Sequence, residues 1–227
     1  MRFYTKILAA AAASTALCGV AAAAPIIING SDFTNGLNSQ VIGGITWTSA
    51  PGNFRQKTVG GYTGVGITGG RTNDEIDIGE TLAGTSAAPF AISSITLGVL
   101  FDGPEFGDVN EVAQITTNFG SFTLTATGAL TAVLSGAPAG ATVTNLSAAT
   151  SSGGAVWQIN FAPYLEPVTW VSFTALTGVC GTAGGSCTNQ SDFTLVQMVA
   201  NSVPEPASLA LLGLGLMGMG MARRRSR

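Results

Sequence analysis

The chain has 227 residues, of which only 9 are Lys or Arg and 12 are Asp or Glu, with 46% hydrophobic residues and no histidine. So few charges exclude an acidic or basic disordered tail, and 31 Gly plus 9 Pro, roughly 18% of the chain, stay below the low-complexity range, so the chain is expected to fold. The missing histidine removes Ser-His-Asp and Cys-His hydrolysis, His-containing zinc sites and His-ligated haem.

At the amino end, Met1-Arg2-Phe3-Tyr4-Thr5-Lys6 puts two positive charges ahead of an apolar and small run from Ile7 to Ala24, the layout of a secretory signal peptide. Ala21-Ala22-Ala23 supplies the small residues that cleavage needs, so residues 1–23 read as signal and 24–202 as one exported domain. Leu17 stands where a lipobox needs a small residue, so Cys18 reads as discarded with the signal.

Within the domain, β-branched and aromatic residues alternate with small polar ones. Strands are expected in Val41 to Trp47, Ile92 to Phe101, Phe122 to Thr127, Val156 to Phe161, Val168 to Thr174 and Phe193 to Val199. Asp102-Gly103-Pro104, Gly136-Ala137-Pro138, Ser151-Ser152-Gly153-Gly154 and Gly178 to Gly185 are turn chemistry between them. The pattern predicts an all-β fold, a single antiparallel β-sandwich of jelly-roll type. The glycine-dense Gly60 to Gly70 lacks the Gly-Lys-Thr/Ser of a phosphate loop and reads as loop and bulge.

The domain holds three basic residues, Arg55, Lys57 and Arg71, against eleven acids, a net charge of −8 that argues against nucleic acid as a partner. Eight of those acids lie between residues 74 and 111. In the first window, Asn73 to Glu80, strand alternation sends Ile76 and Ile78 to the core and Glu75 and Asp77 to the other face. The second, Asp102 to Glu111, is a glycine-broken loop. Carboxylates on a turning backbone suit a hard cation, so Glu75, Asp77, Asp102, Glu105 and Asp108 are candidate calcium ligands, weighed against plain solvated acids at strand edges. Calcium is the one cofactor that these residues suggest. A pair of these acids would also serve a carboxylate-dependent glycoside hydrolase, and Trp47, Trp157 and Trp170 with Asn118 to Phe122 are either a sugar-stacking surface or core. Cys180 and Cys187 bracket a glycine-rich loop and read as a disulfide in an exported chain.

The carboxyl end runs Val203-Pro204-Glu205-Pro206, then Ala207 to Ala222 without a charge, then Arg223-Arg224-Arg225-Ser226-Arg227. Sixteen apolar residues make a helix of about 24 Å, enough for a short transmembrane helix with snorkelling arginines. Positive flanks stay cytoplasmic, which pins this end inside. Pro-Glu-Pro, apolar helix and arginine cluster, in that order, resemble the PEP-CTERM sorting domain of exported bacterial proteins, over residues 203–227. The resemblance implies a Gram-negative source that makes exopolysaccharide, recognition by an exosortase membrane protease, and removal of the tail near Pro204-Glu205-Pro206. The reading is thus a non-enzymatic structural protein of the cell surface or biofilm matrix, first held in the inner membrane by its tail. The alternatives are a module that binds calcium or polysaccharide, and the hydrolase.

Overall fold

A computed structural model of the chain describes residues 25–103, 109–150, 152–162, 164–165, 167–180 and 190–203; the signal peptide, the transmembrane helix and the sorting tail from Pro204 onward lie outside them. The described residues form one compact unit, Pro25–Val203. Its strands are β1 (Pro25–Asn29), β2 (Ser39–Ile42), β3 (Ile45–Ala50), β4 (Phe54–Val59), β5 (Tyr62–Ile67), β6 (Ile76–Asp77) and β7 (Thr81–Gly98). They continue as β8 (Asn110–Thr117), β9 (Gly120–Gly128), β10 (Thr131–Ser135), β11 (Thr142–Ser147), β12 (Val156–Asn160), β13 (Val168–Val179) and β14 (Asp192–Ser202).

The all-β, antiparallel expectation matches the structure, but the strands join one 14-stranded sheet where two separate sheets were expected. The reason is β7. Its first residues, Thr81 to Thr85, pair with β3 and β13, while Phe90 to Gly98 pair with β14, and Ser94 to Leu97 also with β12. Between the two halves lie Ala87, Ala88 and Pro89, all exposed, where proline withholds a ladder hydrogen bond and the strand turns.

The sheet curls back over its own core. From β9 to β12 the pairing runs through β8, β13 and β7, four steps that in a flat sheet would cover about 19 Å. Yet Phe122 on β9 and Phe161, just past β12, lie edge to face with ring centroids 5.6 Å apart. Phe33 packs on Trp47 at 5.5 Å and on Phe54 at 5.0 Å, and Trp47 stacks with Phe173 at 6.3 Å. Such aromatic pairs add about 0.5–1.5 kcal/mol each beyond the area they bury.

Two expectations are corrected locally, and for two of the tryptophans the core alternative holds. Val41 to Trp47 is not one strand but the hairpin β2–β3, because Gly43 and Gly44 both take positive φ (60° and 78°), the conformation of a two-residue hairpin turn. Gly60 to Gly70 is not all loop: it holds β5, paired with β4 from Val59↔Tyr62 to Phe54↔Ile67. Trp47 and Trp157 are buried, and the Trp157 indole donates to the Leu100 carbonyl at 2.9 Å, so these two fill the core and offer no stacking surface.

Candidate functional site

The first acidic window folds against β4, β5 and β14, and glycines let it come close. A Cβ on Gly66 would stand 2.3 Å from both Asp74 O and Glu75 Cα, and one on Gly70 would stand 2.1 Å from Asp77 Oδ2; only residues without a Cβ permit these crossings. Ile67 and Glu75 form a bridge, with Ile67 N donating to Glu75 O at 2.9 Å. β6 then pairs with β14, Asp77 opposite Asp192 and Ile76 opposite Phe193.

The expected faces hold for Ile76 and fail for its neighbours. Ile76 is buried, but Ile78 is 38% exposed, while Glu75 and Asp77 are buried. A two-residue strand cannot hold alternation through Ile78, which bridges in parallel to Ala175. The buried carboxylates are compensated locally. Glu75 Oε1 meets Lys57 Nζ at 2.7 Å, and Asp74 Oδ1 lies 3.1 Å from the same ammonium. Asp77 Oδ2 accepts from Thr72 N and Thr72 Oγ1, each at 3.0 Å. Asp77 N donates to Glu80 Oε2 and Glu80 N to Asp77 O, both at 3.0 Å. The other oxygens, Asp77 Oδ1 and Glu80 Oε1, are buried without a hydrogen bond.

The proton affinities follow from that geometry. Burial pushes the Asp77 carboxyl above its ordinary value; the Thr72 bonds pull it down, and nearby Glu75 pushes it up again. Burial likewise raises Glu80, with the Asp77 amide opposing and the Asp77 charge adding. Burial would lower Lys57, but the hydrogen bonds and charges of Glu75 and Asp74 outweigh it and raise the ammonium above its ordinary value.

The second window is anchored at its ends. Phe101 N donates to Glu111 Oε2, and Glu111 N donates to Phe101 O at 3.1 Å. Asp102 is partly buried, and Glu105 and Asp108 lie outside the described residues. The windows approach at one cavity of about 270 Å³, where Ile78 and Val109 share a wall with Gln190 and Ser191. Among the described residues, no group of three or more acids or cysteines is gathered as a metal would need.

A second cavity of about 360 Å³ was not foreseen from the sequence. Asn29, Tyr62, Thr63, Thr96, Gln158 and Gln197 lie on its wall. Among the described residues, neither cavity has a carboxylate on its wall. The signal was a row of amides and hydroxyls on separate strands, visible only once pairing sets the register.

Cys180, exposed after β13, is disulfide-bonded, and Cys187 lies outside the described residues, as does the segment from Pro204 with Glu205, Pro206 and Arg223 to Arg225. Among the described residues no helix is long and apolar enough to cross a membrane. No curated protein and no solved structure matches the chain. One family model does, that of the PEP-CTERM protein-sorting motif, over residues 202–225. Its first matched residue is the last of β14, so the folded unit runs directly into the segment that exosortase, a membrane protease, recognises. The chain is therefore an exported protein that carries a PEP-CTERM protein-sorting motif, sorted through the membrane of a Gram-negative bacterium.

Proposed function

We propose that this protein is a non-enzymatic structural component of the cell surface or of the exopolysaccharide matrix. Its single curled sheet would be the displayed body, and the tail the temporary inner-membrane hold. The observation that carries the reading is the junction at Ser202, where the central strand β14 ends and the sorting match begins. Pro204 and Pro206 favour an extended backbone there, open to a protease. Intact mass of the surface-located protein tests it. Loss of most of residues 207–227 is expected; retention of Arg223 to Arg225 would favour a permanent anchor and end this reading.

A second reading, calcium held between the acidic windows, is favoured by the approach of Ile78 and Val109 at one cavity and by the unbonded oxygens of Asp77 and Glu80. A cation that binds only the folded state raises its melting temperature by mass action. Millimolar calcium should then raise the melting temperature of the parent and not of Asp77→Ala or Asp108→Ala; an unchanged melting temperature in the parent rejects the site.

A further inference from the structure

The larger cavity has an order that its composition alone does not show. Gln158 of β12 pairs with Thr96 of β7, Thr96 pairs with Gln197 of β14, and Gln197 pairs with Asn29 of β1. Directly opposed residues of antiparallel strands project from the same face. The four therefore form one row across four strands, about 14 Å from end to end at ordinary strand spacing. They are linked along it: Gln158 Nε2 donates to Thr96 Oγ1 at 3.3 Å, and Gln197 Nε2 to Asn29 Oδ1 at 2.9 Å. Tyr62 and Thr63 of β5 stand beside the row, and every described residue on the cavity wall is uncharged.

We propose that this row is a binding groove for a neutral glycan. The volume, about 360 Å³, falls within the usual range of small-ligand sites, about 300–1,000 Å³. Carboxamides and hydroxyls offer donors and acceptors side by side, the arrangement that neighbouring sugar hydroxyls need, and Tyr62 adds an aromatic ring to the wall. Other ligand classes fit worse. A peptide that adds to a sheet needs a free edge, but three of the four strands that the row crosses are paired on both sides: β12 between β11 and β7, β7 between β12 and β14, and β14 between β7 and β1. An apolar ligand would leave the amides unsatisfied. An anionic polymer meets a domain of three basic and eleven acidic residues with no cation among the described residues of the groove wall, so like charge opposes it. The groove residues lie outside the matched residues 202–225, and failure of the groove would leave the sorting reading intact.

The test is calorimetric titration of the purified exported protein with maltohexaose, cellohexaose and laminarihexaose, and with an oligogalacturonate of equal length as the anionic comparison. Binding of at least one neutral hexasaccharide is expected, with little dependence on salt. Gln158→Ala and Gln197→Ala should each weaken it about tenfold, and Gln158→Met, which keeps the length of the side chain and removes the amide, should weaken it similarly at an unchanged melting temperature. Gln114→Ala, on β8 and off the groove wall, should leave it unchanged. No binding of any neutral hexasaccharide at millimolar concentration, binding untouched by the Gln158 and Gln197 variants, or oligogalacturonate bound as tightly as the neutral sugars would each overturn the proposal.

Discussion

Lys57 Nζ lies 2.7 Å from Glu75 Oε1, tying the edge strand β4 to a carboxylate that is only 4% exposed. Lys57→Met removes the cation and leaves that carboxylate buried alone, a loss of about 3–5 kcal/mol for fully buried pairs. Since Lys57 is 26% exposed, solvent screening reduces the expected cost to about 1–3 kcal/mol. Its folded proton affinity lies above the ordinary value of 10.5. The stabilisation is therefore whole below that pH and is lost as pH rises through the raised value. Denaturant melts of parent and variant from pH 8 to 12 should show a gap that stays constant up to about 10.5 and narrows above it; a gap that does not narrow there would reject the ion pair as its source.

Asp77 and Glu80 behave in the opposite sense to most native carboxylates. Both are raised above ordinary values of 3.8 and 4.5, so the fold prefers them protonated. Their contribution is full below those values and is lost as pH rises through the raised ones. Asp77→Asn keeps an acceptor for Thr72 and removes the charge. The variant should gain stability relative to the parent as pH rises from 4 to 7, measured by thermal melts across that range; a gap independent of pH would show that Asp77 titrates normally.

Gly66→Ala tests the close crossing of the first acidic window over β5. The added methyl would meet Asp74 O and Glu75 Cα, both at 2.3 Å, and both are main-chain atoms that cannot swing aside. Overpacking of this kind costs about 1–3 kcal/mol, occasionally more. Gly61→Ala, where nothing stands within 4 Å but φ is +84°, separates backbone strain from collision. A Gly66→Ala melt equal to the parent's would mean that the window does not cross there.

Cys180 is joined to Cys187 in our reading, closing a loop so short that the bond adds about 2–3 kcal/mol in the chain-entropy model. Peptide mapping without reductant should recover the two cysteines in one linked pair, and Cys180→Ser should lower stability by that amount. Alkylation of Cys187 in unreduced protein would reject the pairing.

The strands legible in the sequence are those with large apolar residues on the core face, such as β12 with Val156, Trp157 and Ile159, all buried. β10 and β11 are not legible because their sequences, TAVLS and TVTNLS, are short, carry no aromatic residue and bury none fully. The first half of β7 is hidden for a related reason: Ala83 and Gly84 carry almost no hydrophobic signal, and Gly84 is small because a Cβ there would press on Ile45 and Trp47 at 3.1 Å. The acidic windows were seen as composition, but their burial was not, since partners such as Lys57 and Thr72 are fixed only by folding. The glycan groove was invisible, because its four residues are separated by as many as 168 positions along the chain.

The position of β14 also sets the order in which the domain can finish folding. This last strand pairs with β1, β5, β6 and β7, so the middle of the sheet stays open until residues 192–202 are available. Contacts so distant in sequence must wait for long loops to close, and folding that depends on them is slow. An exported chain emerges amino end first, so the sheet acquires its missing strand only when Ser202, the first residue of the sorting motif, reaches the far side. Completion of the fold and arrival of the sorting signal then become one event, and a chain truncated before β14 would be left with open sheet edges as well as without its address.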